Sequence, residues 1–548
     1  MHPLTSFSAS RLSLGVLGLL LLVFSSALAI YQVVPPAANP ATALPQEFSS
    51  GRALLHLAVI ARKPHPHGSP EQAEVRDYIL HELTVLGLSP QLQTTSVISN
   101  IIVRQQGTGG GKALLLASHY DTVPSSPGAS DDGSGVVVVL ETLRALRASG
   151  MPLRNDVICL FSDGEEVGQQ GAKAFAYSHP WAKDVGLVLN FDARGNGGPA
   201  VMFETSQENG WLIDQLAIAE PHVVANSLAG EIWDRMPNKT DLTIFKEAGM
   251  AGLNFAYFDG FNRYHSPLDT VDAIDERSLQ HQGTYALALT RHFGNSDLAG
   301  TRRPNEVYFN LLGLTLLHYS EKWVVPLAVT AVVLFAGVVF LARGRQQLTL
   351  VGIGQGFTAT LLTFVATVLF VTVAWWLSGP ILGRKIARGA ADYNNGLDML
   401  ILTVCALLAA SLCYGWLARR ISSWHLLAGG LLWCLLLTVL TSLFLPAGSF
   451  LFIWPFFFGL IALASGVLVR HQNPASARLL AVVAVCVVPG ALILAPIIYL
   501  TLIAVTLRSV TSLLLLALPA ALILVLLTPQ LQVLTPPSKR HPRKTCLG

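Results

Sequence analysis

The chain has 548 residues, 52% of them hydrophobic and 13% charged, six cysteines and a mean hydropathy of +0.51. These values exclude a disordered chain, a collagen-like repeat and a disulfide scaffold, and they are too apolar for an ordinary soluble enzyme. The net charge of +3 conceals a split: residues 32–322 hold 31 of the 33 acidic and 21 of the 36 basic residues, a net −10, while the remainder carries +13.

In chain order, the first feature is an apolar run at 12–31, preceded by Arg11 and long enough to cross a bilayer. Ser26-Ala27-Leu28-Ala29 resembles a signal-peptide cleavage site. The run is longer than the roughly 7–15 residues of a signal core, however, and further spans follow, so 1–34 reads as an uncleaved anchor. The linker Pro35-Pro36-Ala37-Ala38-Asn39-Pro40 leads into a segment at 45–300 where short β-rich runs alternate with helical patterns. Strands are predicted at 113–118, 156–162, 186–191 and 251–256, and helices at 136–148 and 279–293. This alternation predicts an α/β domain with a mixed, mostly parallel sheet flanked by helices. Its one cysteine, Cys159, lies in a predicted strand, where a small buried side chain is expected rather than a nucleophile.

Residues 301–322 read as a connector, and 323–528 as a polytopic helical membrane domain of about seven helices. Its spans are expected near 323–342, 356–377, 398–417, 424–444, 449–468, 479–499 and 509–527, which with the anchor makes eight. A cytosolic N-terminus then places 32–322 outside the cytosol. Arg343, Arg345, Arg419, Arg420, Arg470, Arg478 and the basic tail 529–548 fall inside, as the positive-inside rule asks. Arg384, Lys385, Arg388 and Arg508 fall on the opposite side, but the balance supports this orientation. Basic residues confined to short loops between spans are topology signals, so no nucleic-acid partner is expected. Asp392 and Asp398 are the only acids after Lys322 and both lie in or beside a loop, so the spans carry no ion relay. The membrane half reads as an anchor in the lipid bilayer rather than a transporter. The short N-terminus and compact loops point to a bacterial inner membrane with 32–322 in the periplasm, or to a vacuolar or endoplasmic reticulum membrane in a eukaryote.

Five clusters place imidazoles or carboxylates at strand edges or in loops of the α/β segment. They are His119-Tyr120-Asp121; the Gly-rich Asp131-Asp132-Gly133-Ser134-Gly135; Glu165-Glu166; Asp192; and Tyr264-His265. Each alone has an ordinary structural explanation, such as an Asp N-cap or a solvated helix start. Together they supply two His and three carboxylates at the strand ends where open α/β sheets build sites, and that set suits a pair of divalent ions such as zinc.

This order of motifs resembles the dizinc exopeptidases of metallopeptidase family 28, over about residues 50–295. Pro64-His65-Pro66-His67-Gly68-Ser69-Pro70-Glu71 and the polytopic region resemble its membrane-bound branch, which includes the endoplasmic reticulum metallopeptidase and the fungal vacuolar membrane protease. The resemblance implies two zinc ions per chain, one held by His119, Asp131 and Asp192 and the other by Asp131, Glu166 and His265. It further implies Glu165 as general base, Asp121 as the carboxylate that orients His119, and Tyr264 as a hydroxyl polarising the scissile carbonyl. The expected activity is aminopeptidase-like hydrolysis at peptide or protein N-termini. One departure stands out: the eukaryotic membrane branch carries Glu at the position of Asp192, whereas this chain has Asp, as soluble bacterial members do. Two alternatives share the fold. A glutaminyl-cyclase-like zinc acyltransferase needs one metal, and a non-catalytic receptor or scaffold predicts broken ligands.

Overall fold

A computed structural model describes residues 20–220, 222–381, 396–468 and 477–504. The chain divides into two units, one over Tyr31–Glu321 and one made of apolar helices on either side of it in the sequence.

The first unit is built on an eight-stranded sheet. Its strands are β1 (Gln91–Thr94), β2 (Ser99–Gln105), β3 (Ala113–His119), β4 (Val157–Ser162), β5 (Val185–Phe191), β6 (Val201–Thr205), β7 (Val224–Ala225) and β8 (Gly252–Ala256), in the order β1-β2-β4-β3-β5-β8-β6-β7. The central four, β4-β3-β5-β8, are mutually parallel. β1, β2 and β6 pair antiparallel around them. β3 and β4 are buried along their whole length, as the unbroken apolar runs of a sheet covered on both faces require.

Side-chain alternation divides the core in two. Leu114 and Leu116 face a layer formed by α2 (Ser50–Ile60), α3 (Pro70–Val85), α4 (Gly133–Ser149), α6 (Gly210–Ala219) and α9 (Glu276–Phe293). Ala113, Leu115 and Ala117 face α5 (Gln170–Ser178) and α8 (Asp241–Glu247). The short α7 (Ser227–Trp233) packs on β6, its Trp233 edge-on to Phe203 at 4.8 Å. Val136–Val139 are four successive β-branched residues, poor helix formers, yet they lie in α4. Burial decides, because α4 is buried on every side from Gly133 to Leu143. The helix starts tight against the sheet: a Cβ on Gly135 would lie 2.7 Å from the Phe191 carbonyl oxygen and 2.5 Å from the Asp132 carboxylate.

The stretch 301–322 differs from the expected connector. Strands β9 (Glu306–Leu311) and β10 (Thr315–Ser320) pair antiparallel as a hairpin within the Tyr31–Glu321 unit. Asn310 Nδ2 donates to the Val223 carbonyl at 2.7 Å and the Tyr308 ring is buried. The turn escapes detection in the sequence because it puts Leu312 at φ +57°, ahead of Gly313 at φ +60°, where hairpin signatures place Asn or Gly.

The second unit contains α1 (Leu20–Tyr31), α10 (Val324–Gly344), α11 (Leu350–Ile381), α12 (Gly396–Ala418), α13 (Ser423–Phe444), α14 (Phe450–Leu468) and α15 (Ala477–Ala504). Among the described residues, four helices are long and apolar enough to cross a membrane: Glu321–Gly344, Leu350–Leu377, Trp424–Phe444 and Phe450–Leu468. The apolar stretches Leu20–Tyr31, Val404–Ala418 and Val488–Ala504 are shorter. The expected span 509–527, the tail 529–548, residues 12–19 of the anchor, and Arg384, Lys385, Arg388, Arg470 and Arg508 lie outside the described residues. Val325, Val329, Val333 and Phe340 on α10 are exposed, as a lipid-facing surface would be. α11 and α13 cross closely: a Cβ on Gly429 would clash with the Gly356 backbone, and Trp433 stacks on Phe357 at 4.4 Å.

Candidate metal centre

The site forms where the parallel strands end. His119 is the last residue of β3, Asp192 directly follows β5, and Glu165 and Glu166 follow β4 after a turn at Gly164, φ +72°. Asp131 directly precedes Asp132, the N-cap of α4, whose Oδ1 accepts the Gly135 N–H at 2.9 Å. His265 arrives on the loop after β8, with its backbone in the left-handed region at φ +55°.

These elements bring the five expected ligands into two sets that share a member. His119, Asp131 and Asp192 form one, and Asp131, Glu166 and His265 the other. His119 Nε2 lies 3.2 Å from Asp131 Oδ1, while His265 Nε2 lies 3.0 Å from Asp131 Oδ2 and 3.1 Å from Glu166 Oε1. Despite this proximity, Asp131 Oδ2, Glu166 Oε1 and His265 Nε2 are buried without a hydrogen bond. Converging buried donor atoms without hydrogen bonds are what a cation would satisfy. The electrostatics agree. Burial, followed by the neighbouring carboxylates, pushes Glu165 and Glu166 above the usual carboxylate range and Asp192 up to about 7. So many buried carboxylates call for nearby positive charge. The residues present therefore fit a pair of divalent metal ions.

The surrounding shell holds this geometry through the backbone. His119 Nδ1 meets the Asp121 backbone oxygen at 3.0 Å, leaving Nε2 aimed at Asp131. The Asp121 carboxylate, expected to orient His119, lies farther off, with Oδ1 3.6 Å from Nδ1. It accepts instead the N–H groups of Glu165 and Glu166, at 3.0 and 3.2 Å. The carbonyl of Asp121 thus positions the imidazole and its carboxylate positions the two glutamates. A His-x-Asp spacing cannot distinguish these two parts of one residue.

Two further carboxylates, given no individual role from sequence, also support the site. Asp132 Oδ2 accepts the His119 N–H at 3.1 Å. Asp269, 1% exposed, accepts the N–H groups of Ser130 and Asp131 at 2.8 and 3.1 Å. In the Pro64-His65-Pro66-His67 segment, the His65 N–H donates to Thr122 Oγ1 at 2.9 Å, and His67 Nδ1 meets Asp163 Oδ1 at 2.7 Å. That segment therefore buttresses the strand ends without supplying a ligand. Tyr264 stacks on His265 at 3.8 Å; burial and then the nearby carboxylates raise its pKa and keep the phenol protonated. Asp131, Glu165 and Asp192 open onto a pocket also lined by Arg194, Phe203, Trp233, Asn238, Phe258 and Tyr264.

Residues 100–290 match the family model Peptidase family M28. This segment is a peptidase family M28 domain. The chain is 33% identical to endoplasmic reticulum metallopeptidase 1 of Mus musculus over 301 residues, 52% of this chain and 33% of that protein. It is 35% identical to the vacuolar membrane protease of Candida albicans over 245 residues, 42% of this chain and 29% of the other. The chain thus spans about a third of the length of the curated relatives it matches. Those names belong to endoplasmic reticulum and vacuolar membranes and give no support to the bacterial inner membrane expected from the loops. Among solved structures, an aminopeptidase from Aneurinibacillus sp. strain AM-1 aligns with a TM-score of 0.38 at 14% identity, over 48% of this chain and 96% of that one. A Porphyromonas gingivalis glutaminyl cyclase aligns with a TM-score of 0.36 at 20% identity, over 44% and 96% of the two chains.

Proposed function

We propose that this M28-domain chain is a membrane-anchored, zinc-dependent exopeptidase that releases N-terminal residues from peptides. The observation that carries the proposal is the place of Asp131 in both donor sets, beside buried ligand atoms that lack hydrogen bonds. His119, Asp131 and Asp192 would hold one zinc, and Asp131, Glu166 and His265 the other, an imidazole and carboxylate donor set that suits this ion. Bound zinc supplies a water of lowered pKa and an electrophile for the peptide carbonyl.

The rest falls to the chain's own groups. Glu165 is buried beside the donors, its Oε1 accepting from Gln169 Nε2 at 3.1 Å. It takes the proton of the attacking water and passes it to the leaving amine. The protonated Tyr264 hydroxyl, on the wall of the same pocket, donates to the developing oxyanion. Asp121 is a positioning residue that acts through the amides of Glu165 and Glu166. The names of the relatives support peptide-bond hydrolysis at a membrane, and the charge split supports a non-cytosolic peptidase unit.

The test is Glu165→Gln in the full-length chain. N-terminal release should be lost while zinc stays near two per chain. Full activity in Glu165→Gln would sink the assignment of the base. A single zinc in the parent, with cyclisation of N-terminal glutamine, would favour the acyltransferase reading instead.

A further inference from the structure

We propose that Arg194 is the specificity residue of this pocket and binds a carboxylate of the substrate; the inference rests on the hydrolase reading above and names its substrate class. Beyond the end of β5 the chain remains extended alongside the segment after β8, with the Asp192 N–H donating to the Phe255 carbonyl and the Arg194 N–H to the Tyr257 carbonyl, both at 3.0 Å. Residues i and i+2 of such a ladder project from the same side, roughly 6–7 Å apart. The guanidinium of Arg194 therefore stands one side-chain position from the metal ligand Asp192, and both line one pocket.

That guanidinium is held in place but not neutralised. Its Cζ lies 5.0 Å from the centre of the Phe261 ring and 5.8 Å from that of Tyr264. With the Asn238 amide turned so that its oxygen faces Arg194, it accepts from Nη1 and Nη2, both at 3.0 Å. Five N–H donors less two leaves three for a ligand. Arg52, Arg104 and Arg144 are each paired with a carboxylate, whereas no ion pair joins Arg194 to Asp or Glu among the described residues. The other basic side chain on this pocket, Lys239, is paired with Glu247 at 3.0 Å. An oriented, unpaired guanidinium on a wall with Phe203, Trp233 and Phe258 matches a carboxylate in geometry and charge. Two substrate groups near a scissile N-terminal bond present one. One is the acidic side chain of an N-terminal Asp or Glu, and the other is the terminal carboxylate of a dipeptide.

The experiment uses the full-length, zinc-loaded chain and four probes: Leu-Ala, Leu-Ala-amide, Glu-Ala-amide and Gln-Ala-amide. The first pair isolates the terminal carboxylate and the second the side-chain carboxylate. In one pair the parent should favour the acid at least about 30-fold in kcat/KM, chiefly through KM, and Arg194→Gln should bring that ratio to within about threefold of unity. Arg194→Lys, which keeps the charge and loses the fork, should retain part of the preference. The same four probes are then bound to Glu165→Gln with Arg194 intact or replaced, followed as protection against thermal unfolding. A parent with no preference in either pair, or a preference that survives Arg194→Gln, overturns the assignment. If none of the four is hydrolysed but the acid still binds better through Arg194, the assignment stands and the hydrolase reading falls.

Discussion

Asp269 provides the sharpest structural test of the centre. It supplies no ligand, but its carboxylate accepts two buried amides, those of Ser130 at 2.8 Å and Asp131 at 3.1 Å, and so holds the backbone of the shared donor. Its own carbonyl accepts the Ala129 N–H at 3.2 Å, which fixes a third residue of the same loop. Asp269→Ala removes both side-chain acceptors and leaves two N–H groups without partners at a position that is 1% exposed. At about 1.5 kcal/mol for each hydrogen bond to a charged group, the loss is about 3 kcal/mol. At roughly 2–4 °C per kcal/mol for a domain of this size, the melting temperature should fall by about 6–12 °C. Because the loosened backbone carries a donor common to both sets, zinc affinity should fall about 10- to 100-fold. Asp269→Asn keeps one acceptor and should lose about half as much, about 1.5 kcal/mol. Melting followed by intrinsic fluorescence, together with zinc competition against a chromophoric chelator, measures both effects on the full-length chain. If Asp269→Ala melts within about 2 °C of the parent and binds zinc as tightly, Asp269 does not hold the Asp131 backbone in place.

Three other predictions follow from named contacts. Asp121→Ala should cut peptide release about 10- to 100-fold by freeing the amides of Glu165 and Glu166, while the His119 contact to the residue-121 carbonyl persists; unchanged kcat/KM would contradict this. His281 is buried with its pKa lowered to about 3, and its Nδ1 accepts the Ala200 N–H at 3.2 Å. Its folded-state pKa lies below the unfolded value of about 6.5, so its contribution is complete above pH 6.5 and is lost as pH falls toward 3. Relative to His281→Gln, the parent should lose about 1.4 kcal/mol per pH unit below 6.5; parallel melting curves of the two proteins from pH 7.5 to 5 would exclude it. For topology, a reporter inserted after Lys322 should score outside the cytosol and one after Gln346 inside, and the reverse pattern would invert the orientation.

The central sheet was legible because parallel strands covered on both faces read as unbroken apolar runs. The predicted strands at 113–118, 156–162, 186–191 and 251–256 match β3, β4, β5 and β8 to within a residue or two. Of the candidate ligands, His119, Glu166 and Asp192 lie at or just past the ends of such runs, and Asp131 and His265 lie in the loops beyond them. The edges of the sheet were less legible: β1 is short and largely exposed and β7 has two residues, so neither leaves a pattern strong enough to read. The contacts of the supporting carboxylates were hidden for a different reason. Asp269 reaches residues 130 and 131, and Asp121 reaches 165 and 166, through backbone amides that any residue type provides. Arg194 was passed over because a lone Arg in a Gly-rich stretch acquires meaning only when the sheet sets it beside Asp192.

The sharing of Asp131 makes the five ligand positions unequal in what mutation can do to them. Loss of His119, Asp192, Glu166 or His265 spoils one donor set and leaves the other with all of its members. Loss of Asp131 depletes both at once. Variants that keep one complete donor set are therefore reachable by single substitutions at four positions. The fifth is the point at which a single substitution cannot spare either donor set.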